Sequence, residues 1–135
     1  MNLKSIVAGL AFSVVGASAQ ASVIAQWNFN SNPADSSTST GSIIPAIGNG
    51  TAALVGDITG SFSSGSASGG SSDPAATDNS GWQTTTYAAQ GTGDKTRGVQ
   101  YNVSTLGYDN ISISYDLRHS NPSSRYEMVQ DSVDG

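Results

Sequence analysis

Apolar and polar residues alternate most regularly in the last third of the chain. Ile111, Ile113, Tyr115 and Leu117 are separated by Ser112, Ser114 and Asp116, and Arg118 continues the polar row. A period of two places each set on its own face of a pleated strand. Full burial of such a side chain contributes ~1.5–3 kcal/mol, so residues 111–118 are expected to form a central strand. Val99, Tyr101 and Val103 alternate with Gln100 and Asn102 in the same way. Val23, Ala25, Trp27 and Phe29 share one face of a segment that starts at Ser22. Thr51–Val55 and Asp57–Phe62 read as two short strands bent at Gly56-Asp57, and Arg125–Val133 as another. Ile43–Ile47 contains Pro45, which lacks a backbone donor, so it is at best an edge strand.

Between these runs lie turn-forming stretches. Residues 30–40 are polar or turn-forming, and Leu106-Gly107-Tyr108-Asp109 reads as a turn. Residues 63–81 carry no large apolar side chain. Such a segment buries too little surface to offset its ordering entropy, which predicts a long flexible loop. Trp82, Tyr87 and Tyr108 then fall in loops or turns. No window shows the three-four spacing of an amphipathic helix. The expectation is an all-β fold, a β-sandwich of jelly-roll type. Asp134-Gly135 after an alternating run is a hairpin signal without a return strand. The sandwich is therefore expected to be incomplete at its C-terminus.

The N-terminus follows a different logic. Lys4 is the one charge before an apolar stretch from Ile6 to Val15, and Ala17-Ser18-Ala19 and Ala19-Gln20-Ala21 follow. This order predicts a helical signal peptide over residues 1–21, cleaved near Ala19 or Ala21, and a secreted or cell-surface location. The stretch is shorter than the ~20 apolar residues a membrane span needs. Residues 22–135 are then the folded module, with no membrane contact except through an anchor beyond Gly135.

Composition narrows the chemistry. Cysteine is absent and histidine occurs once, as His119, so disulfides, thiolate sites and a His-based triad have little to draw on. Ten acidic residues face five basic ones, and loss of Lys4 with the leader would take the net charge from −5 to −6. That balance argues against a nucleic-acid partner for this segment, because phosphate binding needs clustered cations.

Four constellations remain. His119 beside Ser120 suggests a base and a nucleophile, but adjacent strand residues point to opposite faces. Arg118 is expected instead to pair with Asp116 or Glu127. Asp73, Asp78 and Asp94, near the flexible loop, are the candidate ligands for a Ca²⁺ ion, although turn aspartates occur without one. Glu127 and Asp116 lie on the polar faces of their strands, which does not suit a carboxyl kept neutral for glycoside hydrolysis. The aromatics carry the last one. Trp27, Tyr101 and Tyr115 fall on apolar faces as core, whereas Trp82, Tyr87 and Tyr108 are candidates for stacking on a polysaccharide.

Much of the second half resembles a module of secreted bacterial proteins. The resembling residues are Ser72-Asp73-Pro74-Ala75, Gly81–Thr92, Gly98–Thr105, Gly107–Ile111 and the run Tyr115–Tyr126, ending at Asp131–Gly135. Trp27-Asn28-Phe29-Asn30 matches the opening strand. Such modules occur in proteins with a PEP-CTERM sorting tail, and beside the nuclease region of some secreted endonuclease/exonuclease/phosphatase proteins. The resemblance implies a β-sandwich related to carbohydrate-binding-like modules, and no particular activity. Two features of the family, a strand after the Asp-Gly turn and the sorting tail itself, are missing here. Two functions are therefore expected of the chain. The first is an exported, non-catalytic protein of the bacterial envelope or extracellular matrix, associated with polysaccharide. The second is an accessory N-terminal module of a secreted nuclease or phosphatase whose catalytic domain lies beyond residue 135. The 135 residues alone are not expected to be an enzyme.

Overall fold

A computed structural model describes residues 21–75, 77–123 and 126–133. The expected signal peptide lies outside the described residues but for Ala21. The fold is all-β, built from three antiparallel two-stranded ribbons. Strand β1 (Ala25–Gln26) pairs with β2 (Ile47–Gly48), and β3 (Thr51–Val55) pairs with β6 (Gly98–Asn102). Strand β4 (Thr59–Ser64) pairs with β5 (Ser80–Thr85). The β4–β5 ribbon is thus nested in sequence between the two strands of β3–β6. Gly56 and Asp57 adopt φ of 66° and 45°, which turns the chain sharply from β3 into β4.

The two longer ribbons each have a more apolar and a more polar face, as alternation requires. Residues directly opposite in an antiparallel ladder share a face, so Ala52 and Leu54 join Tyr101 and Val99. On β4–β5, Phe62 faces Trp82 and Gly60 faces Thr84, while Thr59, Ser61, Gln83 and Thr85 line the other side. The N-terminal segment lays one aromatic ring on each of these two ribbons. Trp27 meets Tyr101 edge to face at 5.0 Å, and Phe29 meets Trp82 at 5.8 Å with a 38° tilt. Both geometries suit the aromatic quadrupole. The Trp27 indole N–H donates to the Ile43 carbonyl at 2.8 Å, and Ser42 N–H to Phe29 O at 3.2 Å. These bonds bind residues 41–46 alongside the opening segment. Regular pairing there is shorter than the Ser22–Phe29 pattern predicts, because Phe29 takes a φ of 61° that no strand accommodates.

Among the described residues Ala52 and Ile58 are the buried hydrophobic ones, and Asp78, Asn79 and Ser80 are the buried polar ones. The Ser/Gly-rich stretch is held accordingly. Strand β4 runs into it as far as Ser64, Ala67–Gly69 form a short 3₁₀ turn, and β5 starts at Ser80. Polar side chains fix the part between, where apolar packing has nothing to offer.

Three expectations need correction. Trp82 is a strand residue of β5 and not a loop residue. Residues 111–118 form no ladder among the described residues, and Ile111, Ile113, Tyr115 and Leu117 are 46%, 70%, 57% and 50% exposed. Tyr115 is accordingly not core. Tyr126, Met128 and Val129 are exposed as well, and no strand forms at 126–133. The physical reason is that an alternating run can bury its apolar row only against a facing surface. Here the polar row does the docking: Asp116 accepts from Ser72 N–H at 2.7 Å and from its hydroxyl at 2.5 Å. The same bonds replace the expected Arg118 pairing with Asp116, and Glu127 accepts from the Tyr115 hydroxyl at 2.6 Å. A sandwich is not established by these ribbons.

Candidate functional site

Four of the six expected site residues, Asp73, Asp78, Trp82 and Tyr108, fall into three places. The first is a polar knot where residues 30–40 cross the start of β5. Asn30 uses both ends of its amide: the nitrogen donates to Asp73 at 2.8 Å, and the oxygen accepts Ser80 N–H at 2.9 Å. The Asp78 carboxylate, 6% exposed, accepts from Asp35 N–H at 3.3 Å and Ser31 N–H at 3.5 Å. The Asn79 amide donates to the Asp73 carbonyl at 3.1 Å, and the Ser80 hydroxyl donates to Thr40 O at 2.7 Å. Buried polar groups are tolerated when paired in this way. At the rim, the Thr40 hydroxyl and the Ser37 N–H hold the Asp35 carboxyl below its ordinary pKa.

The knot brings Asp73 and Asp78 of the candidate Ca²⁺ ligands into one network. Asp94 sits apart from it in sequence, in the turn that Thr96 closes onto the Gly93 carbonyl. Among the described residues no three acidic or histidine side chains come together as a metal would need. The Asn79 Oδ1 is buried without a hydrogen-bond partner. It lies against Gly65, where an added Cβ would come within 2.3 Å of it.

The second place is an open hollow of about 460 Å³ between residues 41–44 and the apolar face of β4–β5, reaching β3. Trp82 lines it together with Phe62, Leu54 and Ile43. The third is a smaller hollow of about 390 Å³ lined by Tyr108 with Ile24, Asn49 and Leu106. Tyr87 lines neither, and its hydroxyl bonds Thr84 at 2.7 Å. The three aromatics proposed from the sequence are therefore not gathered at one surface. The lining contributed by Ser42, Ile43 and Gly60 went unnoticed in the sequence. A glycine inside an alternating strand was the one available signal, since it often marks a close approach.

His119 and Ser120 are exposed at the end of the 111–118 segment. No family model, curated protein or solved structure matches the chain.

Proposed function

We propose that the chain is an exported, non-catalytic β-sandwich module of the bacterial envelope or extracellular matrix that contacts polysaccharide. The observation that carries this reading is where the carboxylates go. Asp35, Asp73, Asp78, Asp116 and Glu127 each accept hydrogen bonds from their own chain, and these tether the segments between and beyond the strands to one another. Such groups hold a framework, and the framework presents aromatic and apolar surface outward. The export signal at residues 1–21 and the likeness to PEP-CTERM-associated modules belong to the same reading. Two measurements test it. N-terminal sequencing of exported protein should begin at Gln20 or Ser22, and a product that still starts at Met1 would refute export. Affinity electrophoresis in polysaccharide gels should retard the chain, and turnover of any glycan or nucleic acid by it would refute the non-catalytic assignment.

One observation favours the accessory-module reading. The outward row of Ile111, Ile113, Tyr115 and Leu117 is what a neighbouring domain of the same polypeptide would cover. A metal-dependent nuclease domain encoded downstream would support this reading, and a Pro-Glu-Pro sorting tail would support the first.

A further inference from the structure

We infer that the hollow beside β4–β5 is the polysaccharide site, that it takes a neutral pyranose unit, and that Gly60 keeps it open. The inference rests on the polysaccharide-binding reading and adds the place and the ligand class. Three observations converge on it.

The lining contains no charged side chain, although the protein carries a formal net charge of −5. A uronic-acid or sulfated polymer would meet no cation there and would be repelled by the protein as a whole. A neutral ring with one CH-rich face suits the apolar walls of Ile43, Leu54 and Phe62. Volumes of ~300–1,000 Å³ are usual for small-ligand sites, and this hollow falls within that range.

The two tryptophans differ in how their N–H groups are used. Trp27 donates to the Ile43 carbonyl and fixes one wall of the hollow. The Trp82 Nε1 donates to no described residue. An indole N–H at a ligand surface normally finds an acceptor, and a sugar hydroxyl or ring oxygen supplies one.

Gly60 explains why that N–H is accessible. Its φ lies outside the left-handed region, so the backbone does not require glycine. A Cβ at this position would lie 2.8 Å from Trp82 Nε1 and 3.3 Å from Leu54 Cδ1. Any side chain would press on the donor edge of the indole. Glycine in a strand interior is otherwise unfavourable, and an open donor is what this one provides.

The test is affinity electrophoresis of the full exported chain in gels containing laminarin, dextran or galactomannan, with alginate as the acidic polymer. Trp82→Phe keeps an aromatic ring and removes the N–H, and Gly60→Ala crowds it. Ile113→Ser, on the outward row, is the control. At least one neutral polymer should retard the wild type and the control, with affinity reduced five-fold or more in both site variants at unchanged melting temperature. If Gly60→Ala does not fold, Trp82→Phe decides alone. Wild-type retardation in Trp82→Phe would overturn the site while leaving the polysaccharide reading intact. Retardation by alginate alone would overturn the neutral class. Retardation by no polymer would overturn both the site and the reading on which it rests.

Discussion

Residues 51–102 and residues 104–133 both contain alternating runs, and these meet opposite ends. In the first region Ala52, Leu54, Val99 and Tyr101 face a common side of one ladder, where Ala52 is buried and Trp27 packs on Tyr101. In the second, Ile111, Ile113, Tyr115 and Leu117 form a longer row that pairs with no strand among the described residues and stays 46–70% exposed. Period two states which side chains share a face. It does not state what lies opposite, and burial depends on that. The second region is held by its polar side through Asp116 and Ser72, so its apolar side turns outward.

Substitutions at matched residues can break this comparison. Ile58→Ala, at a residue only 7% exposed, should cost about 3 kcal/mol by lost transfer energy and cavity formation. Chemical denaturation would measure it, and a loss under 1 kcal/mol would mean that residues 51–102 do not contain the core. Asp78→Ala strips the acceptor from two backbone donors in the knot and should cost about 2 kcal/mol. Ser80→Ala removes the hydroxyl that holds Thr40 O and should cost about 1 kcal/mol. Ile113→Ala, though it removes as much side chain as Ile58→Ala, should stay within about 0.5 kcal/mol of wild type. Equal losses at the two isoleucines would erase the contrast.

The smallest effect is a pH dependence. The Ser72 hydroxyl and then its N–H hold the Asp116 carboxyl below its ordinary pKa, as Thr40 and Ser37 do for Asp35. A depressed folded-state pKa means that the unfolded chain binds the proton first on acidification. The stabilisation is therefore complete above the unfolded value of about 3.9 and is lost as pH falls through the lower folded value. Both groups are at the surface, so salt should weaken the effect. Asp116→Asn should remove its share of the acid-side slope together with the small stabilisation that it gives at neutral pH, so that the two proteins converge in stability at low pH. An unaltered slope would mean that the Ser72 tether does not form.

How far the sequence foretold this structure follows from the same distinction. Thr51–Val55 and residues 99–102 could be read because short β-branched or aromatic runs ended at turn residues. The bend at Gly56-Asp57 could be read because few residues besides glycine and aspartate tolerate its φ. Strand β5 was hidden, since Ser80-Gly81-Trp82-Gln83-Thr84-Thr85 has a single large apolar side chain. Its position comes from pairing with β4 and from the knot, both of which depend on residues far away in sequence. Asp78 was noticed as a carboxylate, but its role as an acceptor for the backbone of residues 31 and 35 needed a crossing that no local pattern encodes. Trp82 was picked out for its chemistry and misplaced in its element, and Gly60, which shapes its surroundings, drew no notice.

The nested ribbons carry the fold, while the 111–119 segment is tied through Asp116 to Ser72 in the loop between β4 and β5. Amide hydrogen exchange on the exported chain tests this most directly. The account predicts strong protection at the ladder amides of residues 51–55, 59–64, 80–85 and 98–102. Exchange should be near the unprotected rate from Ser112 to His119, where no main-chain hydrogen bond is made among the described residues. Protection at Ile113 and Tyr115 equal to that at Ala52 and Leu54 would contradict it.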